Sequence, residues 1–297
     1  MDKERIGIIG VGNMGAAMAA RLLGSGWPVQ VCDLDASRTG ALASHGAQVR
    51  PTAAECAAGC AALIVCVVDS AQAEAVLFGV DGAQQALHPG QDVLLCPTIS
   101  PQDTERFAAR LQEHGISAID APMSGGPARA RDGSMSLMIA CADAAFERQR
   151  DLISTLSSKV FRISTRPGDG ARTKLVNNLL AGINLVGAAE AIALAERLGL
   201  SAQGTLSVIE QSSGQSWIGS DRMHRAIAGD FEPRAHMTLL EKDTRLALQA
   251  GASAGFHGPL GAAAHEAFAG ACAAGLAGLD DSAVLQLLRG ASGARGG

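Results

Sequence analysis

The chain has 297 residues and a mass of 30.2 kDa, enough for two domains of ordinary size, each with its own core. A net charge of −5 and a pI near 5.8 argue against a general binder of nucleic acid or of an acidic membrane. There is no tyrosine, which removes every mechanism that needs a tyrosine acid, and the seven scattered cysteines form no Cys-x-x-Cys pair, as in a cytoplasmic protein with reduced thiols.

Met1 to Arg5 lead straight into an apolar run, Ile6-Gly7-Ile8-Ile9, so no signal peptide is expected. The run is followed by Gly10-Val11-Gly12-Asn13-Met14-Gly15, a helix over residues 16–23, and a second strand ending at Asp33, 18 residues past the last glycine. In such a strand–turn–helix–strand unit the first glycine permits the tight turn and the second lets backbone approach a pyrophosphate. The third lets helix pack on strand, and the helix N-terminus faces the phosphates. Gly10, Gly12, Asn13, Met14 and Gly15 are therefore expected to hold a dinucleotide. Asp33 suits the adenosine ribose hydroxyls and repels a 2′-phosphate, which predicts NAD; Arg38 lies nearby but competes with two acids, Asp33 and Asp35.

The alternation continues with helices over 52–58, 70–78 and 101–112 and strands over 61–68, 93–96 and 116–120. Ligands of an open α/β sheet lie beyond the carboxyl ends of its strands, so Val68 and Thr98 fall where nicotinamide and its ribose would sit; Thr98 could equally cap a helix. After Asp120 comes Ala121-Pro122-Met123-Ser124-Gly125-Gly126, where bare backbone amides and the Ser124 hydroxyl could cradle a carboxylate, or simply make a flexible turn before a strand over 136–140. A helix over 152–156 and a last strand over 160–163 precede Arg166-Pro167-Gly168. That stretch marks the expected boundary between a doubly wound, parallel-sheet α/β domain over 1–166 and an all-helical domain over 167–297.

Gly168-Asp169-Gly170 precedes a helix over 173–198, apolar nearly all round and expected to be a central helix buried on most sides; its three asparagines and two glutamates argue against a membrane span. Lys174 and Asn178 lie one turn apart on one face. The chain keeps only four lysines, Lys3, Lys159, Lys174 and Lys242. Unlike arginine, a lysine can give up its proton when burial or nearby charge favours the neutral form. Further helices are expected over 202–211, 238–250, 259–274 and 282–288, with a polar loop over 212–217 holding Trp217.

With these stretches in order, the chain resembles the β-hydroxyacid dehydrogenase family over nearly its full length. The turn has the family's G-x-G-x-M-G form, and Asp120 to Gly133 is similar to its substrate motif with Met123 in place of valine. Gly168 to Asn178 is similar to its catalytic motif, and Lys242-Asp243 to its cofactor motif. Val80-Asp81-Gly82, Ser213-Gly214-Gln215-Ser216-Trp217 and Asp230-Phe231-Glu232-Pro233-Arg234 look most like the branch that oxidises four-carbon sugar acids such as L-threonate with NAD.

The resemblance implies an N-terminal Rossmann domain, an all-helical second domain and a cleft shared by both. It implies hydride transfer from a small hydroxy acid to NAD with Lys174 as base and Asn178 holding the substrate. Ser124, Gly125 and Gly126 would grip its carboxylate, and Lys242 would serve the cofactor side. Asp243 would hold a hydroxyl, and Trp217 and Arg222 would line the distal pocket. A homodimer or homotetramer through the C-terminal domain is expected. Oxidation of 3-hydroxyisobutyrate and reduction of tartronate semialdehyde are alternative activities, and a catalytically silent NAD-binding protein is the rival from another class. No metal site is expected: a zinc alcohol dehydrogenase would need cysteine and histidine ligands that are not spaced here.

Overall fold

A computed structural model describes residues 3–290, and the chain divides into two compact units, Met1–Lys174 and Leu175–Gly297. The first opens with β1 (Ile6–Ile9), α1 (Asn13–Gly24), β2 (Val29–Cys32), α2 (Ala36–Ala43) and the short edge strand β3 (Gln48–Val49). It continues through α3 (Ala53–Ala57), β4 (Ala62–Val65), α4 (Ser70–Phe78), β5 (Asp92–Leu95), α5 (Pro101–Gln112) and β6 (Ser117–Asp120). The six strands run parallel in the order β3-β2-β1-β4-β5-β6, which reverses at β1 and β4 as in a doubly wound nucleotide-binding sheet. The four residues of β1 and of β4 are all buried, because helices cover both faces and no side of the strand meets water. One core gathers Ile6, Ile8, Met18 and Leu22; the other, on the opposite face, gathers Leu63, Val65, Leu77 and Phe107.

Beyond β6 the sheet stops being purely parallel. β7 (Met123–Ser124), α6 (Gly126–Asp132), β8 (Ser136–Ala140), α7 (Asp143–Arg148), α8 (Arg150–Leu156) and β9 (Lys159–Ser164) complete the unit. β8 runs antiparallel to β6 and β7 and parallel to β9. The parallel expectation holds for six strands and needs this correction at the far edge, where a short return through α6 replaces a full crossover. The sequence reading missed α2, β3, β7, α6 and α7, all short and without a clear apolar period. It also ran β4 three residues too long, since Cys66, Val67 and Val68 leave the sheet.

The second unit is helical, with one isolated bridge between His236 and Asp280. α9 (Asp169–Arg197) leads into α10 (Ala202–Glu210), α11 (Trp217–Ile227), α12 (Met237–Ser253), α13 (Pro259–Ala271) and α14 (Val284–Gly290). α11 begins at Trp217, capped by Ser216, where only a loop was read. Leu185, Ala189 and Ile192 of α9 join Met223, Met237, Phe268 and Leu285 in a third core.

α9 was expected to be buried on most sides, and within one chain it is not. Val176, Leu180 and Leu194 are exposed, and a third of its most apolar stretch is buried. By length and composition alone it is also the one helix among the described residues that could cross a membrane.

Candidate active site

The three glycines of the first turn differ in what surrounds them. Gly10 has φ +85°, and a Cβ there would lie 2.6 Å from the Cys66 carbonyl oxygen. A Cβ on Gly15 would lie 1.9 Å from the Gly10 carbonyl oxygen, so helix and turn touch at that residue. Gly12 is open instead, with nothing nearer to such a Cβ than Arg38 Nη1 at 3.8 Å. The cap residue of α1 is Gly12, which has no side chain to close the helix start. An open glycine before an uncapped helix start fits a dinucleotide pyrophosphate.

Asp33 sits just past β2. Its Oδ2 accepts from Val11 N at 2.7 Å and its Oδ1 from Asp35 N at 2.9 Å, so the carboxylate is clamped to the glycine turn. Arg38 lies between the two acids, 3.6 Å from Asp33 and 3.3 Å from Asp35. Val68 is half exposed and donates its amide to Gln72 Oε1 at 3.1 Å. Thr98 is half-buried in the loop after β5; the cap of α5 is Ser100, whose Oγ accepts from Asp103 N at 3.0 Å, so the capping reading of Thr98 falls away.

Ser124 ends β7 and pairs with Ser136 across the antiparallel edge. Gly125 and Gly126 both take positive φ, +126° and +75°, a combination that side chains resist, and nothing lies within 4 Å of where a Gly126 Cβ would be. The Gly-Gly turn is thus an ordered start to α6.

Lys174 and Asn178 are each only 8% exposed. Asn178 Nδ2 donates to Asp243 Oδ2 at 2.6 Å, and Lys242 Nζ donates to Asp243 Oδ1 at 2.7 Å. Asp243 therefore has one oxygen on each neighbour. The Asn178 Oδ1 accepts from Asn177 Nδ2 at 3.1 Å.

Trp217, 47% exposed, is the first residue of α11. Arg222 does not line a pocket freely: its Nε donates to Asp281 Oδ1 at 2.6 Å, and it also pairs with Asp221. Burial pushes the Asp281 carboxyl up to about 6 despite the Arg222 guanidinium. Neighbouring Asp280 goes the other way: burial alone would raise it, but hydrogen bonds from Ser282, Arg225 and Arg234 hold it down at about 2. This buried charge group ties α11 to the turn at Asp280 and Asp281.

Residues 5–164 match the family described as the NAD binding domain of 6-phosphogluconate dehydrogenase. Residues 168–288 match the NAD-binding domain of NADP-dependent 3-hydroxyisobutyrate dehydrogenase. An L-threonate dehydrogenase of Cupriavidus necator is 37% identical over 97% of both chains. The chain belongs to the β-hydroxyacid dehydrogenase family. An L-threonate dehydrogenase of Escherichia coli K12 is 35% identical, over 96% of this dehydrogenase and 95% of its own length. A solved 3-hydroxyisobutyrate dehydrogenase of Salmonella typhimurium superposes with a TM-score of 0.91 at 35% identity, covering 96% and 100% of the two chains.

This dehydrogenase is accordingly an oxidoreductase built on a Rossmann-like unit and served by NAD(P). Sequence reasoning missed one buried residue, Asp120, which is 1% exposed at the end of β6. Its Oδ2 accepts from Gly168 N at 2.8 Å and Ala171 N at 3.0 Å. An acid closing an apolar strand four residues ahead of Ser124 was the available signal.

Proposed function

We propose that the chain oxidises a small hydroxy acid, a four-carbon sugar acid such as L-threonate, using NAD rather than NADP. The observation that carries the reading is the buried helical pair Lys174 and Asn178, with Asn178 held through Asp243 to Lys242. The near full-length relatives named L-threonate dehydrogenases support the substrate.

The bound dinucleotide supplies the hydride acceptor, and the protein's own task is to position the alcohol and take its proton. Lys174 Nζ is the base that receives the hydroxyl proton as the hydride leaves carbon. A lysine must be neutral to do so, and burial works against the ammonium form. Asn178 holds the reacting hydroxyl, its amide fixed in one orientation by Asp243. The Ser124 hydroxyl and the Gly125 and Gly126 amides bind the substrate carboxylate. Lys242 balances Asp243 and serves the cofactor side, and Trp217 bounds the distal end of the substrate.

Gly10, Gly12, Asn13, Met14 and Gly15 hold the pyrophosphate, Val68 and Thr98 flank the nicotinamide ribose, and Asp33 takes the adenosine ribose. With Asp33 and Asp35 both present, Arg38 is already engaged by carboxylates, which leaves a 2′-phosphate facing net negative charge.

The functional division falls between residues 166 and 167, supported by the two family matches on either side of it. The enzyme is cytoplasmic and assembles as a homodimer or homotetramer through its helical half, supported by exposed Val176, Leu180, Phe256 and Leu260 there.

The test is a panel of L-threonate, erythronate, glycerate, 3-hydroxyisobutyrate and serine with NAD⁺ and NADP⁺, following absorbance of the reduced cofactor. Fastest turnover is expected with L-threonate and NAD⁺. Preference for 3-hydroxyisobutyrate would favour the second reading, which the Salmonella typhimurium structure supports; equal rates with both cofactors would refute the role of Asp33.

A further inference from the structure

The start of α9 is tied to the sheet at one point. Asp120 closes β6, four residues before Ser124, and its carboxylate accepts the amides of Gly168 and Ala171 at 2.8 and 3.0 Å, with a further hydrogen bond from the Gly170 amide. Three of the otherwise unsatisfied N–H groups at this end of the helix thus end on a side chain borrowed from the sheet. Both glycines here are needed for the approach. Gly168 takes φ +99°, and a Cβ on Gly170 would fall 2.9 Å from Asp120 Cγ and 2.8 Å from the Met138 carbonyl oxygen. The helix start is wedged between the end of β6 and the middle of β8 at Met138. Lys174 follows Ala171 by three residues, less than one turn.

We propose that Asp120 is a positioning residue for the reaction: by clamping the first turn of α9 to the end of β6 it holds Lys174 in register with the Ser124–Gly126 segment that leaves the same strand. The proposal rests on Lys174 being the base and on the Ser124 turn binding the carboxylate. It gives a reason for an acid at this place. A wholly buried carboxylate is a poor device for stability, since burial pushes its carboxyl up to about 6, over the opposing effect of the three amides and with Asp169 adding to the rise. A carboxyl raised in this way favours the fold only when protonated. That contribution is complete below about 4 and is gone once the pH passes about 6. Near neutral pH the ionised group, with Asp169 and the Cys96 thiol as its titratable neighbours, is therefore kept at a cost. What the carboxylate supplies, and an apolar residue would not, is three directed hydrogen bonds that fix the height and rotation of the helix that follows.

The experiment compares Asp120→Ala, Asp120→Asn and Gly170→Ala with Lys174→Ala and the unaltered enzyme at pH 7, on the best substrate of the panel. The readouts are kcat, KM, thermal midpoint and NADH affinity from fluorescence. Displacing a base by a fraction of an ångström to an ångström costs up to about 100-fold in rate, so Asp120→Ala is expected to lose at least about tenfold in kcat with KM and NADH affinity within about threefold. Asp120→Asn keeps one acceptor oxygen and should recover part of that loss, with a thermal midpoint no lower than that of the unaltered protein. If Asp120→Ala does not fold, Gly170→Ala carries the test, because its methyl group drives the helix start off the carboxylate and should cost kcat in the same way. A folded variant of either kind that keeps more than about a tenth of kcat, beside an inactive Lys174→Ala, overturns the positioning role alone. An active Lys174→Ala overturns the base assignment on which the proposal stands.

Discussion

A helix-start lysine, taken alone, is most often a solvated charge near the wrong end of a dipole. Lys174 departs from that description in being almost fully buried, and the next residue on its face, Asn178, is gripped by a carboxylate. Asp243 is better described by its bonds than by the role that family resemblance suggests for it: with one oxygen on Asn178 and the other on Lys242, it orients the amide first. Replacing Lys174 by Ala should lower kcat by about 100-fold or more, the range of a lost general base, while NADH affinity from fluorescence titration changes by less than about threefold. A variant retaining over about a tenth of the rate would sink the assignment. Arg222 illustrates the opposite outcome. The family resemblance put it in the distal pocket, and in the structure two acids, Asp221 and the buried Asp281 59 positions away, hold it in an internal ion pair.

At the scale of elements, the glycine turn separates binding from folding within six residues. A methyl on Gly12 would meet nothing nearer than 3.8 Å, whereas a methyl on Gly15 would collide with the Gly10 carbonyl oxygen. Gly12→Ala should therefore fold with a thermal midpoint near that of the parent and bind NADH at least about tenfold more weakly, because the methyl takes the space a pyrophosphate needs. Gly15→Ala should lose about 1–3 kcal/mol or more of stability, since α1 must move off β1. Calorimetry with NADH titration separates the two, and a Gly12→Ala protein of unchanged affinity would contradict the site. Much of this unit was legible in advance, since β1, β4 and β5 are apolar runs of strand length flanked by turn residues. In this unit the missed elements are short, such as exposed two-residue β3 and seven-residue α6, too short to show a period.

For the molecule as a whole, the exposed apolar side of α9 bears on the proposed association. Val176, Leu180 and Leu194 on one helix, with Phe256 and Leu260 in the same unit, are large apolar side chains left exposed in the single chain. Light scattering should give two or four times the 30.2 kDa of one chain, and Leu180→Glu should shift it toward the single chain. A single-chain mass for the unaltered protein would refute association through this half.

The sequence by itself determined the strand–turn–helix order, the glycine turn with an acid after the second strand, and the spacing of Lys174 and Asn178 one turn apart on one helix, because each depends on local spacing and backbone freedom along one stretch of chain. Tertiary structure alone decided the reversal of β8 in the sheet, the bonding of Asp243 to Asn178, the ion pair that claims Arg222, and the clamp of Asp120 on the start of α9. Each of these joins residues tens of positions apart, and a hydrogen bond is specified by where its two partners end in space. No local pattern of polarity records that distance. Asp120 shows it most plainly: in sequence it is an acid at the end of an apolar strand, and its partners lie 48 and 51 residues further on.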